Sequence, residues 1–282
     1  MKGTLYIVST PIGNLEDITL RALRILSEVD IVAAEDTRHS IKLLTHHGIK
    51  KPLISYWKEK ESERSDEILR RLHGGQSVAL ISDAGTPGIS DPGSVIINKA
   101  VQENIQLVSV PGPSAFVAAL SLSGLPAEHF SFLGFLPARR NQRKKIISEL
   151  RFEEKTLIFY EAPHRIIGSL QDIVEILGER QAALVKEITK IHEHVLRGSI
   201  SDIIEEVQQT VIAGEYVIIV HGWSRMHTSI TEDVLTELHA YMRKGLGRKE
   251  AVRMIAEKYG LSKKELYKKS LDEDFVHSDE TP

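Results

Sequence analysis

The chain contains no cysteine, and that absence removes disulfides, thiolate metal sites and thiol nucleophiles together. No apolar stretch approaches the roughly 20 residues of a membrane helix. The apolar run after Lys2 is stopped at a strand's length by Ser9-Thr10-Pro11, so no signal peptide is expected and the sequence reads as a soluble cytoplasmic protein. No Gly-x-Gly-x-x-Gly follows a strand-like run, and neither Gly-x-x-x-x-Gly-Lys-Ser/Thr nor Gly-x-Ser-x-Gly occurs. The dinucleotide fingerprint, the phosphate-binding P-loop and the hydrolase elbow are thereby missing. His192-Glu193-His194 would place two imidazoles on one strand face, but further ligands are lacking nearby and no metal is expected.

What is present is ordinary globular material: 282 residues, 41% hydrophobic and 27% charged, a balance that gives no reason to expect disorder. The net charge of −3 conceals a segregation. From Arg243 to Lys269, ten Lys or Arg, Lys263 and Lys264 among them, stand against three Glu. Arg139, Arg140, Arg143, Lys144 and Lys145 form a second island with no acid in it. Two basic islands on an acidic body are either solvated helix faces or contacts to an anionic partner, because phosphate neutralisation needs local charge.

Short β-type runs alternate with amphipathic helical spacing through the first part. Leu5–Val8, Ile31–Ala34, Pro52–Ser55, Val78–Ile81 and Gln106–Val110 read as strands, and the helices between them imply right-handed crossovers and a mainly parallel sheet. Gly124-Leu125-Pro126 marks a boundary, so residues 1–124 are expected as one α/β domain. Residues 125–224 read as a second, with the closeness of Ala182–Ile188 to His194–Arg197 suggesting a hairpin and a mixed sheet. From 225 to 282 the pattern is helical. Arg248–Lys269 has helix-turn-helix length, Ser262 and Glu265 have capping-box spacing, and Asp272–Pro282 reads as a frayed acidic tail.

Three strand ends empty into loops of Gly, Pro, Ser, Thr and Asp: Ser9–Asn14, Ser82–Gly93 and Pro111–Ala115. In the second of these, Pro92 stands where a helix could start. Ligands of open α/β sheets bind beyond the carboxyl ends of strands, so these loops are the candidate site. Each alone could be an ordinary strand-to-helix turn.

In order and spacing, Thr10-Pro11-Ile12-Gly13-Asn14, Ser82-Asp83-Ala84-Gly85-Thr86-Pro87-Gly88-Ile89-Ser90-Asp91-Pro92-Gly93 and Val110-Pro111-Gly112-Pro113-Ser114-Ala115 resemble the motifs of the tetrapyrrole methylase family. Ala34-Glu35-Asp36-Thr37-Arg38, Tyr160-Glu161-Ala162-Pro163-His164-Arg165 and Lys186–Lys190 look like its small-subunit rRNA (cytidine-2′-O-)-methyltransferase branch. The resemblance covers about residues 3–222 and implies two α/β domains with S-adenosylmethionine in the cleft between them, a homodimer, and 16S rRNA or the small ribosomal subunit as partner. By position it implies cofactor contacts at Asp83, Gly85, Thr86, Pro87, Ser114, Ala115 and Tyr160, and substrate contacts at Thr10 and Pro11. The Asp-Ala-Gly-Thr-Pro stretch is an expanded form of the family's Gly-Asp-Pro loop.

Methyl transfer to an alcohol oxygen needs in-line alignment and eventual removal of a weakly acidic proton. Asp36, Glu161 and His164 are the candidate proton acceptors, each with a capping or salt-bridging role as the alternative. Arg38 and Arg165 could hold an RNA phosphate, and Arg139, Arg140, Lys263 and Lys264 are the candidate RNA contacts of the basic islands. A tetrapyrrole C-methyltransferase would share the loops but has little use for the islands. A ribosome-assembly RNA-binding protein without catalysis would not need intact loops.

Overall fold

The computed structural model describes residues 2–224, 230, 232–259, 261 and 263–272. The chain folds as two compact units, Met1–Gly222 and Trp223–Pro282.

The first unit opens with five strands, β1 (Thr4–Val8), β2 (Ile31–Ala34), β3 (Leu53–Ser55), β4 (Val78–Ile81) and β5 (Gln106–Val110), in the order β3-β2-β4-β1-β5. All four pairings are parallel. The helices between them are α1 (Leu20–Glu28), α2 (Thr37–His46), α3 (Glu61–His73) and α4 (Ser94–Gln102). Strand β4 shows why the sheet is covered on both faces. Val78 and Leu80 point into a cluster with Ile68 and Leu72 of α3 and Ile96 of α4, while Ala79 and Ile81 join Leu26 of α1 and Leu43 of α2. Side chains alternate along a strand, so a fully buried central strand must be apolar at every position.

The helix α4 begins two residues later than its proline suggests. The amide of Gly88 donates to Pro92 O at 3.2 Å, and the amide of Gly93 donates to Glu61 Oε1 at 2.6 Å. These bonds hold Pro92 in the loop, and Gly93 at φ +146° is the residue before the helix. A Cβ there would lie 2.9 Å from Gly88 N. The turn thus closes on itself only with glycine at 93.

The second sheet contains β6 (Phe130–Phe135), β7 (Thr156–Glu161), β8 (Gln181–Lys186), β9 (His194–Ser199) and β10 (Tyr216–Val220), in the order β6-β7-β10-β8-β9. It is mixed: β6 runs parallel to β7, and the other pairings are antiparallel, including the β8–β9 hairpin. Between the sheets runs α5 (Ala115–Ser123), ending at Gly124, and α6 (Arg140–Glu149), α7 (Ile166–Leu177) and α8 (Ile200–Gln208) accompany the second sheet. One face of that sheet packs on α6, α7 and α8 through Ile147, Leu170, Ile173, Ile203 and Val207. The other packs on Ala119 and Leu120 of α5, together with Ile12 from the first loop. Residues 1–124 and 125–222 therefore share a core inside one unit.

His194 opens β9 while His192 lies in the turn before it, so the two imidazoles do not share a strand face. No group of three His, Cys, Asp or Glu suited to a metal occurs among the described residues. The second unit contributes α9 (Glu232–Arg243), α10 (Arg248–Tyr259) and α11 (Lys263–Asp272), with Leu238, Val252, Ile255, Leu261 and Leu266 in a shared core. Lys263 and Lys264 are exposed at the start of α11. The Ser262 half of the expected capping box and the tail from 273 lie outside the described residues. No helix among the described residues is long and apolar enough to cross a membrane.

Candidate functional site

A cleft of about 400 Å³ opens at the carboxyl ends of the first sheet's strands, against the second sheet. Its first wall is backbone and hydroxyl: Gly85, Thr86 and Ser90 from the loop after β4, and Ser114 and Ala115 at the start of α5. Its second wall is Tyr160 and Glu161 at the end of β7, Val185 and Ile188 at the end of β8, and Glu215, Tyr216 and Val217 at the start of β10. Ile12, Ile89, Phe116, Val117 and Phe135 add apolar surface.

Two loops are locked together beneath it. Thr10 and Gly85 exchange backbone hydrogen bonds at 2.8 and 3.1 Å, and the Thr10 hydroxyl donates to Ser82 O at 3.0 Å. The Ser9 and Thr86 hydroxyls are 2.7 Å apart. The first loop also meets the turn after β8: a Cβ on Gly13, at φ +154°, would come within 2.4 Å of Lys190 Cγ. On the far side, Ser90 packs against Gly134 of β6, where the pairing with β7 slips. The cleft is thus framed at two points where the sheets touch.

The aromatic wall is ordered by packing. The Phe116 and Phe132 rings stack at 4.4 Å, and Tyr160 stands edge-on to Phe132 at 4.9 Å and tilted to Phe135 at 5.4 Å. The Tyr160 hydroxyl accepts the Phe116 amide at 3.2 Å. Burial pushes its pKa up to about 12, so it remains a neutral hydroxyl at working pH.

Of the residues expected from sequence to touch a cofactor, Gly85, Thr86, Ser114, Ala115 and Tyr160 line this cleft. Asp83 and Pro87 do not; Asp83 Oδ1 accepts the Asp36 amide at 3.1 Å and its own amide donates to Glu35 at 3.2 Å, tying β4 to β2 behind the wall. Thr10 and Pro11 are buried in the loop-to-loop junction.

The three candidate proton acceptors differ in their surroundings. Asp36 caps α2, accepting the Arg38 amide at 2.8 Å, and pairs with the Arg38 guanidinium at 2.7 Å. That partner lowers its pKa to about 2. Glu161 is buried with both oxygens engaged: Oε1 by the Ala162 amide at 2.8 Å and Arg165 at 2.6 Å, Oε2 by the Ser169 hydroxyl. His164 is exposed on the short 3-10 turn Pro163–Arg165.

The expected phosphate-holding cations also divide. Arg38 and Arg139 are exposed. Arg165 is largely buried, bonded to Glu161 and to Leu136 O at 3.2 Å. Arg140 donates to Asp172 Oδ1 at 2.8 Å, and Arg143 pairs with the same fully buried carboxylate at 2.7 Å, while Lys144 pairs with Glu175 at 2.6 Å. Much of the basic island on α6 is therefore answered by two acids of α7, and among its members only Arg139 and Lys145 have no ion pair among the described residues.

Sequence reasoning did not single out Asp91, Phe116, Phe135, Ile188 or Glu215. Asp91 and Ile188 lay within quoted stretches and Phe116 follows Ala115 on α5, whereas Phe135 and Glu215 reach the cleft only through the order of the second sheet.

The pattern of the family Tetrapyrrole (Corrin/Porphyrin) Methylases matches residues 4–204. A Synechocystis protein named ribosomal RNA small subunit methyltransferase I is 43% identical over 273 residues, covering 96% of this chain and 98% of that protein. A protein of the same name from Pseudomonas aeruginosa is 44% identical over 274 residues, covering 95% and 97%. Among solved structures, uroporphyrin-III-C-methyltransferase from Thermus thermophilus superposes with a TM-score of 0.57 at 21% identity, over 78% of this chain and 94% of that one, a likeness of fold. The chain belongs to the Tetrapyrrole (Corrin/Porphyrin) Methylases family, in the branch of the ribosomal RNA small subunit methyltransferase I proteins.

Proposed function

We propose that this protein is an S-adenosylmethionine-dependent methyltransferase of small-subunit rRNA that methylates the 2′-oxygen of a cytidine. The observation that carries the cofactor assignment is the chemistry of the cleft. Its lining offers backbone amides, hydroxyls, aromatic and aliphatic faces and three carboxylates, with no Lys, Arg or His, which suits an adenosine joined to a sulfonium and not a phosphate. The volume of about 400 Å³ lies in the range of small-molecule sites. The acceptor assignment is supported by the full-length relatives' name, and the cytidine 2′-oxygen by the motifs around Asp36 and Tyr160.

When bound, S-adenosylmethionine supplies an electrophilic methyl group. Gly85, Thr86, Ser114, Ala115 and Tyr160 hold it, while Asp83 and Pro87 shape the loop that carries the first two. The packed Phe116–Phe132–Tyr160 wall excludes water and fixes the direction of approach, so orientation provides much of the rate. Thr10 and Pro11 set the loop on the substrate side. The proton of the acceptor hydroxyl passes to Asp36, Glu161 or His164. His164 has the exposed ring, whereas Glu161 would first exchange its bond from Ser169 or Arg165. Arg139, Lys263 and Lys264 present exposed cations to the RNA, as does Arg38 beside Asp36, with Arg140 and Arg165 available only by leaving their carboxylates.

In this reading the protein works in the cytoplasm as a homodimer. Liquid chromatography of rRNA nucleosides from cells with and without the gene tests the activity: the 2′-O-methylcytidine fraction falls on deletion and returns with the gene, and an unchanged fraction refutes it. Light scattering on the purified chain tests the dimer.

A further inference from the structure

Three carboxylates line the cleft: Asp91, Glu161 and Glu215. Two are matched by cations of the fold. Glu161 is held by Arg165 at 2.6 Å, and Glu215 by Lys190 at 3.0 Å. Asp91 has no cationic partner among the described residues, and no basic side chain lines the cleft around it. Its neighbours are instead of its own sign, with Asp83, Glu35 and Glu215 all close enough to repel it. The Ser82 hydroxyl, a neutral donor turned toward Asp91, offsets part of that repulsion.

A carboxylate withdrawn from water without a counter-charge is costly, and folds answer such groups with a cation or a set of donors. Glu161, on the same cleft, shows the fold doing so. The cost is already visible at Asp91, whose pKa is raised, first by burial and then by Asp83 and Glu215. A charge left unanswered inside a ligand cleft is one that the ligand can answer.

We propose that Asp91 is the counter-ion for the positively charged group of the ligand in this cleft, the onium centre that the protein itself does not supply. The inference rests on the S-adenosylmethionine reading above. That molecule carries two onium groups, a sulfonium and an amino-acid ammonium, and the carboxylate chemistry is common to both. If the partner is the sulfonium, Asp91 also makes the cleft selective. The demethylated product is a neutral thioether at that atom, so the pairing disappears with methyl transfer and the spent molecule is held less tightly than the fresh one.

Titration calorimetry with the full chain decides the matter, using S-adenosylmethionine and S-adenosylhomocysteine against wild type and Asp91→Asn. The amide keeps the shape and removes the charge. Asp91→Ser provides a second neutral variant should the first fold poorly by circular dichroism. A charge-assisted contact of this kind implies a ~10- to 100-fold loss of affinity. Loss confined to S-adenosylmethionine assigns Asp91 to the sulfonium, and equal loss for both ligands assigns it to the ammonium. Wild-type affinity of the neutral variant for both ligands overturns the proposal. Absence of binding to wild type by either ligand is a different result, and it would refute the cofactor assignment itself.

Discussion

Replacing Tyr160 by Phe removes one oxygen and tests how the two sheets are joined at the cleft. Its hydroxyl accepts the amide of Phe116 at 3.2 Å. That amide lies in the first turn of α5, where helix N–H groups lack intrahelical acceptors, and Ser114 makes no side-chain capping bond there. The ring contacts to Phe132 and Phe135, at 4.9 and 5.4 Å, are unchanged by the substitution. What is lost is a neutral hydrogen bond of about 1 kcal/mol, rising toward about 3 kcal/mol if the amide is left dry. For a unit of this size, each kcal/mol lowers Tm by about 2–4 °C. Water can reach the amide in the free cleft, so the smaller cost applies there. A bound ligand excludes that water, so S-adenosylmethionine affinity should fall by about 5- to 30-fold. Thermal unfolding gives the first quantity, calorimetry the second, and hydrogen exchange at the Phe116 amide reports the bond directly. Wild-type exchange at that amide, with Tm within about 1 °C of wild type, would refute the reasoning.

Asp172→Ala leaves Arg143, whose side chain is 8% exposed, without its carboxylate, and should cost about 3–5 kcal/mol in urea unfolding; replacing Arg143 and Asp172 together by Met and Leu should recover much of it. Gly93→Ala sets a methyl carbon 2.9 Å from Gly88 N at φ +146°, so it should lower Tm and weaken S-adenosylmethionine binding in step. The folded pKa of Asp36 is lowered from 3.8 to about 2, by the Arg38 side chain first and the Arg38 amide second. Its stabilising contribution is therefore complete above 3.8 and is lost as pH falls through about 2, and a carboxyl carbon NMR titration should place its midpoint well below those of unpaired Asp residues. Lys263→Glu with Lys264→Glu should weaken RNA binding and flatten its dependence on salt without altering S-adenosylmethionine affinity; filter binding at several salt concentrations reads the slope.

The parallel sheet and the position of the cleft were legible because both are written locally. Val78–Ile81 is apolar at every position, the mark of a strand covered on both faces, and the residues that follow are types that strands and helices reject. The loops Ser82–Gly93 and Pro111–Ala115 could therefore be read as the candidate site from the chain alone, whereas the family resemblance singled out Gly85, Thr86, Ser114 and Ala115 within them, together with Asp83 and Pro87, which lie off the cleft. The late start of α4 was not legible, because Pro92 is held in the loop by bonds to Gly88 and, through Gly93, to Glu61, which lies 32 residues away. Phe135 and Glu215 come from strands whose neighbours are fixed by the order β6-β7-β10-β8-β9, and no local pattern encodes that order.

Charge is where sequence and structure part most instructively. Arg139 and Arg140 are adjacent in the chain and equivalent by composition. One lies exposed before α6, and the other is drawn to Asp172 on α7, 32 residues further on. Arg165 stands in a motif that resembles the rRNA methyltransferase branch and was expected to hold an RNA phosphate, yet its guanidinium serves Glu161 and Leu136 O, just past β6. A count of basic residues thus overstates the charge available to RNA, because the fold uses part of it to neutralise buried acids. The same accounting, applied to acids, isolates Asp91. Glu161 and Glu215 have absorbed the cations nearest the cleft, so the charge left for a ligand is defined by which pairs the fold has already made.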